Sequence, residues 1–291
     1  MSERPMLERQ VLACIDDSPH ALAVCAAASW AAERIGAPLE LMHVLGKVQE
    51  LGEADASGQI GLGSREHLRE QLTRLDEQRA KLTQQHGREL LAAAQAQAER
   101  SAPNTPVSVA LRHGELVEAL SEREARTRLV VLGKRGESAD AAREHLGSNL
   151  ERVVRTLHTP ILVTPAEFHA PSRLLLAFDG SQTTRKGVEM IADSPLLNGL
   201  VCHVVTIGAG TDDQRAQLDW ALNRLREGQV EAEGRILAGD VDEVLADYAD
   251  QQQIDLMIMG AYGHSRIRHL LVGSTTTAML RQVRSATLIL R

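Results

Sequence analysis

The residue types best suited to chemistry are concentrated between positions 254 and 283, IDLMIMGAYGHSRIRHLLVGSTTTAMLRQV. A short apolar run, Leu256-Met257-Ile258-Met259, has the length and content of a strand buried on both faces of a sheet. It leads into Gly260 and Gly263, then a loop bearing His264, Arg266, Arg268 and His269. Gly273-Ser274-Thr275-Thr276-Thr277 then opens an apolar-periodic segment. Glycines let a backbone turn sharply and let a ligand approach it closely, and the N–H groups of a first helical turn favour anions. A strand end, a glycine-bounded basic loop and a hydroxyl-rich helix start together suit a phosphate group. Taken singly, the same glycines would serve only turns and helix capping.

The elements that must position this stretch come from a repeat. Leu12-Ala13-Cys14-Ile15-Asp16-Asp17-Ser18 returns as Leu175-Leu176-Ala177-Phe178-Asp179-Gly180-Ser181, an apolar strand ending in Asp with Ser two places on. Further matches follow in order: Leu41 to Val44 with Val201 to Val204, His113 to Leu120 with Ala238 to Leu245, and Val130 to Gly136 with Met257 to Gly263. Gly147-Ser148 then matches Gly273-Ser274, and residues 159–163 match 285–289. Two copies of one domain are expected, over 1–168 and 169–291, joined by a short proline-bearing linker. In each copy short apolar runs alternate with amphipathic segments, which predicts an α/β fold. The domains should be doubly wound and Rossmann-like, each a five-stranded parallel sheet flanked by helices. Strands are expected near 9–16, 38–45, 106–112, 128–133 and 160–164, and again near 172–179, 200–207, 230–238, 255–260 and 286–290. The first copy carries an extra glycine-punctuated loop and a charged helical stretch from Ser64 to Arg100. On it Leu68, Leu72, Leu75 and Leu82 form one stripe. That stripe should cover its own sheet; the alternative is a docking surface for a partner chain.

Composition narrows the function classes. A net charge of −7 argues against a general nucleic-acid or anionic-membrane partner, and 2% aromatic content argues against stacking platforms for single strands. Cys14, Cys25 and Cys202 lack metal-ligand spacing and are expected to be small buried hydrophobes. Neither a leader-like apolar segment nor a run of membrane-span length is evident, so a cytoplasmic protein is expected.

The spacing Gly260-x2-Gly263-x9-Gly273-Ser274 resembles the nucleotide-binding signature of the universal stress protein family, in its ATP-binding subgroup. The resemblance covers essentially the whole chain as two fused domains, and it implies an adenine-nucleotide-hydrolase-like fold. By position it implies that Asp179, ending the first strand of the second copy, contacts the nucleoside. Val204, ending the second strand, would give backbone contacts to adenine. Gly260 and Gly263 would lie against ribose and phosphates, and Gly273, Ser274, Thr275 and Thr276 would hold the phosphate chain. Ala177 and Met259 would wall the pocket, and His264 either touches phosphate or faces solvent. For Asp179 the competing role is helix N-cap, for which Ser181 is a rival. His43 and His203 are read as equivalent packing residues. The first copy departs from the signature: ten residues separate Gly136 from Gly147, and its loop carries Glu137, Asp140 and Glu144 against Arg143 and His145. One nucleotide per chain is therefore expected, as ATP with Mg²⁺.

No phosphate-loop lysine motif, serine elbow or zinc helix motif occurs, so no catalytic residue and no protein-held metal is assigned. The expected function is a stress-response regulator acting through a protein partner. The alternatives are a slow ATPase or phosphotransferase, and a nucleotide-free interaction protein. The family resemblance also implies pairing of the last strands, residues 161–163 and 288–290, so that one chain mimics a dimer. Whether two chains then associate is left open by the sequence.

Overall fold

The computed structural model describes residues 9–46, 62–136, 148–260 and 274–291. The first half runs β1 (Gln10–Cys14), α1 (Ala21–Ile35), β2 (Leu39–Leu45), α2 (Leu62–Ser101), β3 (Val107–His113), α3 (Leu116–Ser121), β4 (Thr127–Gly133), α4 (Ser148–Thr156) and β5 (Ile161–Thr164). The second runs β6 (Arg173–Ala177), α5 (Gln182–Asp193), β7 (Val201–Ile207), α6 (Asp212–Glu227), β8 (Ala232–Leu237), α7 (Val241–Gln251), β9 (Leu256–Gly260), α8 (Ser274–Gln282) and β10 (Ala286–Leu290). Each described strand falls within a residue or two of its expected place, because buried parallel strands are near-continuous apolar runs.

The strands form one sheet in the order β3-β2-β1-β4-β5-β10-β9-β6-β7-β8. Within each half every pairing is parallel, and the strand order reverses beside the first strand of the half. The halves join through antiparallel β5 and β10, with Leu162 opposite Leu288. Helices α1, α2, α5 and α6 cover one face over a hydrophobic layer shared by both halves. On the other face α3 and α4 cover the first half, and α7 and α8 the second. The helix ends at this join are capped across it. Lys134 Nζ donates to the carbonyls of Val283 (2.7 Å) and Arg281 (3.3 Å), and Arg291 donates to those of Leu157 (2.7 Å) and Arg155 (2.9 Å). Each cation thus satisfies last-turn carbonyls of a helix in the other half.

Two expectations are corrected. The stripe of Leu68, Leu72, Leu75 and Leu82 is not what packs on the sheet: Leu75 is 56% exposed and Leu82 67%, Leu72 is half-buried, and the Leu68 side chain lies outside the described residues. What packs on the sheet is a later stripe of α2, with Leu91, Ala94 and Ala98 buried. Gly87 is buried too, and a side chain there would lie 2.9 Å from His43 Cδ2 and 3.0 Å from Leu111. Small residues bring the helix close to the strands. Secondly, His43 and His203 are not equivalent. The register sets Leu12 beside Glu40 and Leu175 beside His203, so His203 corresponds to Glu40, and His43 to Thr206. A shared x-x-His-Val tetrapeptide suggested otherwise, but register is fixed by backbone pairing.

Candidate functional site

The crevice of a doubly wound sheet lies beyond the carboxyl ends of the strands on either side of the reversal, here β6 and β9. Ala177 ends β6, half-buried against the α7–α8 layer, and Met259 and Gly260 end β9. Past Ala177 the chain turns through Phe178-Asp179-Gly180 into α5. Gly180 has φ +73°, a left-handed conformation that side chains with a Cβ rarely adopt. Ser181 caps α5: its side chain accepts from the Thr184 N–H at 3.3 Å. The N-cap role is therefore filled without Asp179. Asp179 Oδ1 instead accepts from the Thr184 hydroxyl at 2.7 Å and from the Ser181 N–H at 3.0 Å. Gly260 backs onto the same turn, because a Cβ there would sit 3.2 Å from Thr183 Cγ2 and 3.8 Å from Thr184 Cγ2. Asp179, Thr184 and Gly260 are thus brought together at the switch point.

Arg185 braces the turn from behind. Its Nε donates to the Gly180 carbonyl at 3.1 Å, and its guanidinium lies 4.4 Å from the Trp220 ring centroid, with Phe178 stacked on that ring at 6.4 Å. Thr184 and Arg185 were not picked out from sequence. Their only signal is a threonine and an arginine in the first turn after the Ser181 cap, a spacing that also suits an ordinary helix start.

The other expected site residues are placed as follows. Val204 is not at a strand end: β7 continues to Ile207, and Val204 lies fully buried in mid-strand, paired with Leu176 and Gly234. The residue at the carboxyl rim of β7 is Thr206, buried, with a hydroxyl oxygen that has no hydrogen-bond partner among the described residues. Ser274 and Thr275 open α8, and Thr276 is buried in its first turn. Gly263, His264 and Gly273, with the loop bearing Arg266, Arg268 and His269, lie outside the described residues.

The first half builds the corresponding corner differently. Asp16 accepts from the Ser18 hydroxyl at 2.5 Å and from the Ser18 N–H at 3.2 Å, and Ala21 stands where the second half has Thr184. His20 stands where the second half has Thr183, against Gly133, where a Cβ would lie 2.7 Å from its own. Burial, opposed by the Asp16 charge, lowers the His20 pKa and favours the neutral ring. A side chain on Gly136 would lie 3.2 Å from Asp16 Oδ2, so that backbone closes over the carboxylate. Lys134, next to Gly133, is engaged at the end of α8.

Among the described residues no group of three or more His, Cys, Asp or Glu side chains could hold a metal ion. The three thiols are free. Burial pushes Cys202 up to about 12 and Cys25 up to about 11, and raises Cys14 further, so all three are held as unreactive thiols. No described helix is long and apolar enough to cross a membrane.

Two doubly wound α/β domains in tandem, each with its strand order reversing beside its first strand, define the class. The universal stress protein family model matches the chain twice, over residues 8–165 and 171–291, and the chain belongs to that family. Universal stress protein Slr1230 from Synechocystis is 36% identical over 278 residues, which cover 94% of this chain and 96% of that one. A crystal structure of a universal stress protein from Archaeoglobus fulgidus has the same fold over 98% of both chains, with a TM-score of 0.71 at 16% identity. A functionally unknown protein from Pseudomonas aeruginosa shares it over 97% of this chain and 92% of its own, with a TM-score of 0.61 at 15% identity.

Proposed function

We propose that this protein binds one ATP per chain in the crevice of its second half, and that it acts in the cytoplasm as a stress-response regulator through a protein partner. The observation that carries the reading is the corner around Asp179. The carboxylate is relieved of capping by Ser181 and is oriented by the Thr184 hydroxyl and the Ser181 N–H, with Gly260 packed against the same turn at the end of β9. A carboxylate fixed in this way at a switch point can accept hydrogen bonds from a ribose or base. The Ser274-Thr275-Thr276 start of α8 supplies first-turn N–H groups suited to phosphate oxygens. Mg²⁺ would arrive with the phosphates, held by them and by water, as suits an ion that dehydrates reluctantly. In the first half the equivalent carboxylate is held by Ser18 with no threonine at the position of Thr184, and His20 packs on Gly133 beside it, which supports a single site.

Mass spectrometry of the small molecules released on denaturing protein purified without added nucleotide tests the ligand class. An adenine nucleotide, absent when Gly273 and Ser274 are both changed, is the expected result. No nucleotide released, together with no thermal shift on adding Mg·ATP, would leave a nucleotide-free interaction protein as the better account.

A further inference from the structure

The two halves differ at the amino ends of their strands as well. In the second half Asp255, just before β9, accepts from the Ser172 N–H and hydroxyl, both at 2.8 Å, and from the Arg173 N–H at 3.0 Å. Counting along the repeat, Ser172 corresponds to Arg9 and Asp255 to Arg128. A serine held by an aspartate is thus replaced by two arginines, at the amino ends of the neighbouring strands β1 and β4. Both are exposed, and neither makes an ion pair or a hydrogen bond among the described residues.

These arginines line a cavity of about 390 Å³ that the two halves form together. Leu129 and Pro160 come from the first half, and Met190, Leu196 and Leu288 from the second. Leu129, Leu196 and Leu288 are buried, so the floor is apolar while the charges stand at the rim. Asp193 lies at the same rim, but both of its oxygens accept from Arg224 at 2.8 Å, so its charge is already paired. The walls are held across the junction: Arg34, near the end of α1, donates to the carbonyls of Leu196, at 3.3 Å, and of Asn198. Small-molecule sites occupy about 300–1,000 Å³, so this volume suits a compact ligand. Met190 and Asp193 belong to the last turn of α5, and the Asp179 corner lies at its first turn. The cavity and the nucleotide crevice are therefore at opposite ends of that helix.

Two unpaired guanidinium groups over an apolar floor select an anion with an apolar body. An arginine fork takes a carboxylate through two N–H groups, and a second guanidinium stacks on an aromatic face. Among the described lining residues none is aromatic, so a ring has to come from the ligand, and the Met190 thioether suits its edge. We propose that this cavity is a second ligand site, separate from the nucleotide crevice, and that it takes a compact aromatic carboxylate.

Equilibrium dialysis of the full chain against naphthoate, read by naphthalene fluorescence, should show one saturable site per chain. Arg9→Gln with Arg128→Gln should weaken binding roughly tenfold or more. The far-UV circular dichroism should be unchanged, because both side chains are exposed. Naphthalenemethanol keeps the ring without the charge, and acetate the charge without the ring. Neither should displace naphthoate at equal concentration, and Mg·ATP should not displace it at all. No saturable naphthoate binding at millimolar concentration, or equal binding by the double variant, would overturn the proposal. So would displacement by Mg·ATP, by the alcohol or by acetate.

Discussion

Thr184 is the residue on which the second-half corner turns. Its hydroxyl donates to Asp179 at 2.7 Å while its backbone N–H donates to Ser181, so one residue joins the Asp179 carboxylate to the start of α5. Thr184→Val keeps the shape and removes the donor. A lost charged hydrogen bond of this kind is worth about 1.5 kcal/mol, so isothermal titration should show ATP binding roughly tenfold weaker. Unchanged affinity would mean that Asp179 does not act on the ligand in this orientation. Gly180 makes a separate demand, on the backbone. Gly180→Ala must hold a left-handed φ of +73° and displace the Gln217 side chain, which otherwise lies where the Cβ would be. Gln217 can move, so the remaining cost is backbone strain of about 1–2 kcal/mol. It should appear as a lower urea midpoint with an unchanged slope. Asp179 itself was legible in the sequence, from the repeat and the strand end. Thr184 and Arg185 were not, because local contacts made five residues back along the chain leave no periodicity to read. Val204 was misplaced because the matched tetrapeptide ends three residues short of the strand.

At the scale of elements, the periodicity of α2 was readable but what it faces was not. An apolar stripe identifies a face, and leucine spacing drew attention to the earlier part of the helix. The stripe that packs is instead built on Gly87, Leu91, Ala94 and Ala98, mostly small residues that carry a weak hydrophobic signal. The cross-capping of helix ends was equally silent, since it joins residues on either side of a junction between repeats. It has a pH signature. Burial, helped by the Arg135 charge, lowers Lys134 to about 8 from an ordinary 10.5. Between those values the unfolded chain keeps a proton that the folded chain has released, so this lysine makes stability rise with pH across the window. Below pH 8 both states are protonated and its burial cost is fully felt. A neutral amine still donates to Val283 and Arg281, so the junction survives deprotonation. Urea melts at pH 7.5, 9 and 10 should show the wild type gaining on Lys134→Met as pH rises. A constant difference would show that Lys134 is solvated rather than buried against α8.

For the whole molecule, the tandem was the most legible feature, because six ordered matches can hardly arise except by repetition. The strands followed from it; the pairing of the last strands was implied by the family resemblance, and β5 and β10 meet antiparallel to join ten strands into one sheet. Sequence similarity could not show how far the copies have diverged in detail. Glu40, paired with Arg123 at 3.4 Å and Arg126 at 3.0 Å, occupies the place of His203, which meets Tyr248 at 3.0 Å and Glu233 at 3.1 Å. The two crevices differ in the same way. One has a carboxylate held by Thr184 with Thr183 against its strand-end glycine, and the other a carboxylate held by Ser18 with His20 against Gly133.

If only the second-half corner takes a nucleotide, the stoichiometry of binding is one. Isothermal titration of nucleotide-free full chain with Mg·ATP should give one site per chain, abolished by Asp179→Asn and retained in Asp16→Asn. Two sites per chain, or a single site lost with Asp16→Asn and kept with Asp179→Asn, would contradict the account.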